Sequence, residues 1–104
     1  MVLPMFRVRL RGRNFLLADG DLVERRMFHV TVFVRGRDID GAREAAVAAL
    51  AADEDLLGAL RNPPDDPPAL FTLEATLVPP ELAPPAKRSA FEFAPDDGSE
   101  PEPG

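Results

Sequence analysis

The segment Phe6–Phe15 reads FRVRLRGRNF and places arginine at four successive odd positions, 7, 9, 11 and 13. Phe6, Val8 and Leu10 fill the even positions between the first of them. A guanidinium is planar, permanently charged and able to donate two parallel hydrogen bonds to a carboxylate or phosphate, so a row of them suits an anionic partner. A second stretch, MFHVTVFVR, puts Met27, His29, Thr31, Phe33 and Arg35 on one alternate set and Phe28, Val30, Val32 and Val34 on the other. With the two stretches as neighbouring strands, one face gathers Arg7, Arg9, Arg11, Met27, His29, Thr31, Phe33 and Arg35. That face suits an acidic protein or a nucleic acid, with Phe33 as a stacking surface. The same alternation is equally what a solvated outer face carries, its arginine stems covering Met27 and Phe33 and Glu74 supplying a cross-strand charge.

Catalytic and metal chemistry find fewer residues. His29 is the single histidine, and Thr31, two positions along, is the one hydroxyl that the pattern places near it, an ordinary spacing in a strand. No catalytic residue is expected. The absence of cysteine removes disulfides, thiolate metal sites and thiol nucleophiles. Asp19 with Asp21 and Asp65 with Asp66 lack the spacing of a calcium loop, and RGRN and VRGRD each hold one glycine, too few for a phosphate cradle. Neither a metal nor a cofactor is expected.

The elements that must position the arginine face follow from hydrophobic period. Phe6–Arg11 alternates strictly and is the first strand; Gly12 permits a bend. Asn14–Ala18 is a short apolar run ending at Asp19-Gly20, a hairpin signal, and the return leg contains the β-branched stretch Met27–Arg35, which reads as a central strand. After Gly36 the period changes. DIDGAREAAVAALAA is a helix capped by Asp38 or Asp40, and Asp53 caps a shorter helical piece with Leu56, Leu57 and Leu60 that stops at Asn62-Pro63-Pro64. Ala69–Val78 alternates again as a last strong strand, ended by Pro79-Pro80. The expected core is Phe6, Val8, Leu10, Phe28, Val30, Val32, Val34, Ile39, Ala46, Leu50, Phe71, Leu73 and Leu77.

Composition bounds the organisation. One domain is expected over residues 1–80 of the 104, then a proline-rich extension over 81–94 in which Ser89–Phe93 alternates as an edge-strand candidate, then a disordered acidic tail over 95–104. Charge is uneven: residues 1–43 hold nine arginines against five acids, and residues 44–104 hold three bases against thirteen acids, for a net charge of −6. That overall sign opposes approach to polyphosphate, which makes nucleic acid the weaker partner class. No apolar run approaches the length of a membrane span, and the N-terminus lacks a secretory h-region, so a cytoplasmic location without membrane contact is expected. Arginine, alanine and proline abundance points to a GC-rich, bacterial coding bias.

The order of elements, three strands ahead of the GRDIDGAREAAVAAL helix, resembles the compact domain of HicB-type antitoxins over Phe6 to Leu50, at the level of fold. The resemblance implies a β-β-β-α-β arrangement and an antitoxin-like, nucleic-acid-associated regulator. Here VTVFVRGRD enters the helix without that family's short Pro-Gly-containing turn. The F-x-V-x-L-x-G-x-N-F start is also similar to that of small bacterial proteins, a likeness that brings no activity with it. The expectation is therefore an α+β domain with a mainly antiparallel sheet of four to five strands and a helix packed on one face. It acts as a non-enzymatic binding or regulatory domain through its open sheet face or an edge strand, toward a protein partner or a second copy. The antitoxin-like regulator is the alternative, and a small enzyme using His29 is the third reading.

Overall fold

The alternation that starts at Phe6 carries straight through Gly12. In the computed structural model, which describes residues 3–82 and 87–96, β1 spans Met5–Asp19 and β2 spans Leu22–Arg35. They pair antiparallel from Met5↔Arg35 to Asp19↔Leu22 across the Asp19-Gly20 turn, where Gly20 takes a left-handed φ of 63°. The bend expected at Gly12 is absent because the chain needs glycine there for another reason. A Cβ on Gly12 would lie 2.4 Å from the Phe28 ring, which fills that space from the opposite strand.

The break in pattern comes just after. Between Gly12↔Phe28 and Phe15↔Arg26, Arg13 and Asn14 stand against Met27 alone, a bulge with Asn14 at φ 60°. An extra residue reverses the phase of a period-2 strand. Phe6, Val8 and Leu10 are buried before it, and Phe15 and Leu17 after it. The two expected N-terminal strands are thus one bulged strand, and the return strand starts five residues earlier than the Met27 stretch.

Helix α1, Ile39–Ala51, is capped by Asp38, whose carboxylate accepts the Gly41 N–H at 2.7 Å. It buries Ala42, Ala46 and Leu50 against the sheet. Their spacing of four is one helical stripe, and two alanines on it let backbone and sheet approach closely. Helix α2, Glu54–Ala59, is capped by Asp53 and buries Leu56. The loop after it is tied down by Asn62, whose side chain accepts from Leu16 N and donates to the Asn14 and Asp66 carbonyls at 2.8 to 2.9 Å.

β3 spans Ala69–Val78 and β4 spans Glu92–Pro95, giving a four-stranded antiparallel sheet in the order β3-β1-β2-β4 with both helices on one face. The α+β class stands as expected, with the element order β-β-α-α-β-β. β4 lies at the far edge beside β2, three residues later than the Ser89–Phe93 candidate. Residues 87–89 bond to β2 ahead of it, through Phe33 N to Lys87 O and Ser89 N to Thr31 O, each 2.8 Å. Pro95 closes β4 and Asp96 is anchored, so the ordered chain extends past the expected start of the tail at 95; residues 97–104 lie outside the described residues.

Four expected core residues are exposed: Ile39, Phe71, Leu73 and Leu77. Ile39 opens α1 ahead of its buried stripe. Phe71 and Leu73 are displaced by a second bulge, since β1 Arg9 and Leu10 pair with Glu74 and Thr72 and leave Leu73 as the extra residue, whereas Leu77 keeps its inner-face place opposite Phe6 but stands exposed on the edge strand. Phe71 therefore shares the outer face with Arg11, while Leu70 and Ala75 pack on the core. Val34 is half-buried, and Phe15, Leu17, Ala42 and Leu56 complete the core in their place.

Candidate binding face

Strand pairing brings the predicted face together. Arg7 stands opposite Phe33, Arg9 opposite Thr31, Arg11 opposite His29, and Arg35 opposite Met5, all on the side of the sheet away from the helices. Met27 falls at the β1 bulge and pairs with Ala94 of β4 on its other side. Antiparallel partners share a face, so the eight residues form one surface. The fourth arginine of the row leaves it. The bulge turns Arg13 into a forked pair with Asp96, at 3.1 Å from Nε to Oδ2 and 3.0 Å from Nη2 to Oδ1, and Asp96 Oδ2 also accepts Asn14 N–H at 2.9 Å.

The three arginines that remain differ in what holds them. Arg7 Nη2 reaches Glu74 Oε1 at 3.3 Å, with both side chains about half exposed, a pairing worth little in water. Arg11 lies over the Phe71 ring at 5.5 Å, and its Nε is buried without a hydrogen-bond partner among the described residues. Arg9 is exposed and makes no hydrogen bond or ion pair among the described residues. Arg35 is held to the chain by donating from Nη1 to the Leu3 carbonyl at 2.7 Å. Thr31 and Phe33 are fixed along β2 by backbone bonds to residues 87–89, and Thr31 N–H also donates to Ser89 Oγ at 2.9 Å.

Three residues from the flanking strands join this face, of which Glu74 alone was expected there, as a cross-strand charge. Phe71 and Glu74 arrive from β3 opposite Arg11 and Arg9, and Glu92 arrives from β4 opposite His29. The placement of Phe71 depends on the bulge at Leu73, which no local pattern in β3 signals. His29 thus sits in a row between Arg11 and Glu92, half-buried, with Thr31 the next residue on its strand face.

A second concavity lies on the helix side, about 380 Å³ between Leu17, Leu56, Phe91 and Phe93, with Arg26 and Arg88 at its rim. Both guanidiniums are already engaged. Arg88 donates to Asp53 Oδ2 at 2.6 Å and to Asp55 Oδ2 at 3.3 Å while lying 4.3 Å from the Phe91 ring centre; Arg26 donates to Glu24 at 2.7 Å. Burial acts to raise the Asp53 carboxyl pKa, but the Arg88 hydrogen bond and charge and the Leu56 N–H outweigh it and hold the group below its usual range. These contacts fasten residues 88–93 to α2. Among the described residues no three His, Asp or Glu side chains are grouped to hold a metal ion, and no helix is long and apolar enough to cross a membrane.

No known protein family, no curated protein and no solved structure matches this chain.

Proposed function

We propose that the chain is a non-enzymatic binding domain whose outer sheet face takes an acidic segment of a protein partner. The observation that carries the reading is Arg9, exposed and without a hydrogen-bond or ion-pair partner among the described residues, at the centre of a face where Arg7 and Arg11 flank it on β1 and Arg35 lies on β2. Arg7, Arg9, Arg11 and Arg35 outnumber Glu74 and Glu92 on this surface, within a chain of net charge −6. Local charge therefore favours an anion that the whole molecule repels at long range. A short acidic segment meets chiefly the local field, and its apolar side chains have Met27 and Phe33 to rest on. A nucleic acid must bring up about one charge per 3.4 Å of strand against that repulsion. The antitoxin-like regulator is therefore the alternative outcome of the test.

The test is fluorescence anisotropy at low salt with two labelled probes, a short peptide alternating glutamate and leucine and an oligothymidylate of equal charge. The peptide should bind more tightly than the oligonucleotide, and Arg9→Gln should weaken it with little change in the urea midpoint. Tighter binding of the oligonucleotide, lost in Arg9→Gln, transfers the face to the nucleic-acid reading. Equal, weak retention of both by parent and variant leaves the arginines as a solvated surface.

A further inference from the structure

β2's outer edge is covered by residues 87–89 and β4, but β3's outer edge, Ala69–Val78, pairs with no strand among the described residues. Its interior has no lysine and no proline, Glu74 is its one charged residue, and Phe71, Leu73 and Leu77 are 45%, 42% and 58% exposed. We infer that this edge pairs with the same edge of a second copy, antiparallel and about a two-fold axis between Leu73 and Glu74.

The bulge supplies the argument for that occupant. Leu70, Thr72, Ala75 and Leu77 pair with inner-face positions of β1, namely Gly12, Leu10, Val8 and Phe6; Phe71, Thr76 and Val78 pair with outer-face Arg11, Arg7 and Met5, and Ala69 with Arg13 at the β1 bulge. Reflection about the 73/74 midpoint sets Leu70 against Leu77 of the second copy, Thr72 against Ala75, and Phe71 against Thr76. Every one of these pairs matches inner with inner or outer with outer. In a regular strand such a register joins residues of opposite parity and puts an inner residue against an outer one. The extra residue Leu73 corrects the phase, so the bulge that displaces Phe71 also makes β3 complementary to itself. Glu74, close to the axis, is paired with Arg7 at 3.3 Å, which reduces repulsion between the two copies.

Pairing the ten-residue edges and covering the three exposed side chains buries on the order of 1,000 Å² in total, the lower end of specific interfaces. The dimer is accordingly concentration-dependent. A two-fold axis normal to the sheet joins two four-stranded sheets into one of eight and keeps both arginine faces on the same side. This inference stands whatever the arginine face binds.

Sedimentation velocity of the full chain over a wide concentration range tests it. The mass should rise from monomer to dimer, and Leu77→Lys or Phe71→Lys should raise the dissociation constant roughly tenfold or more without lowering the thermal midpoint. Arg9→Gln, which addresses the outer face, should leave the dimer unchanged. For the register, the double variant Phe71→Cys with Thr76→Cys should form a covalent dimer on mild oxidation. Phe71→Cys alone should not, because its counterpart in the second copy lies about 13 Å away along the strand. A monomer at every concentration, a dimer indifferent to both lysine variants, or equal cross-linking by the single variant overturns the inference.

Discussion

Arg9 and Arg13 carry the same guanidinium in opposite surroundings. Arg9 projects into water, so its charge is screened and its removal should shift unfolding free energy by no more than about 0.5 kcal/mol. Arg13 is 11% exposed and its partner Asp96 4% exposed, with both carboxylate oxygens occupied. Removing one member of a buried pair leaves an uncompensated charge and costs about 3–5 kcal/mol. Asp96→Ala should therefore destabilise the chain by an amount of that order in urea titration, and truncation after Ala94 should do the same. A loss below about 1 kcal/mol for Asp96→Ala would mean that the pair is replaced by water at little cost. None of this was legible in the arginine row, where Arg13 looks like its neighbours. Its different fate is set by the bulge at Asn14 and by an aspartate 83 residues away in sequence.

At the scale of elements, period-2 reasoning placed the outer face of β1 and β2 because both strands are regular from Met5 to Gly12 and from Phe28 to Arg35. The helices were legible as well, since Asp38 and Asp53 are caps followed by apolar residues at helical spacing. Periodicity failed where a bulge added a residue, first at Asn14 and again at Leu73, because each reverses the phase of everything beyond it. Hence Phe15 and Leu17 were missing from the expected core, and Phe71 and Leu73 were wrongly in it; Leu77 kept its face opposite Phe6 and is exposed on an edge strand. The attachment of residues 88–93 to α2 was illegible for another reason: Arg88 and Asp53 are 35 positions apart and neither lies in a repeating pattern. That attachment makes a pH prediction. The Asp53 carboxyl titrates below its unfolded value of 3.8, so its contribution to stability is complete above that value and is lost as pH falls through the folded pKa. Asp53→Asn, which keeps a capping side chain but loses the charge, should be less stable than the parent at pH 7. The difference should shrink as pH falls below the usual carboxylate range and through the folded pKa. A gap that stays constant through the whole acid titration would assign the loss to packing or capping instead.

The whole molecule is a one-layer sheet with helices on a single side, and so it has one face that its own core does not need. On that face the sequence places arginines where a solvated surface needs only polarity, and leaves Arg9 without a partner among the described residues. Core positions such as Ala46 and Leu50, on the other side of the sheet, have no part in recognition if the face is the binding surface. An amide-detected NMR titration of the full chain with the glutamate–leucine peptide reads both sides at once. The account predicts progressive shifts at Arg7, Arg9, Thr31 and Phe33, suppressed at high salt, with Ala46 and Leu50 unmoved. Shifts confined to the helix side, or none at any peptide concentration at low salt, would contradict it.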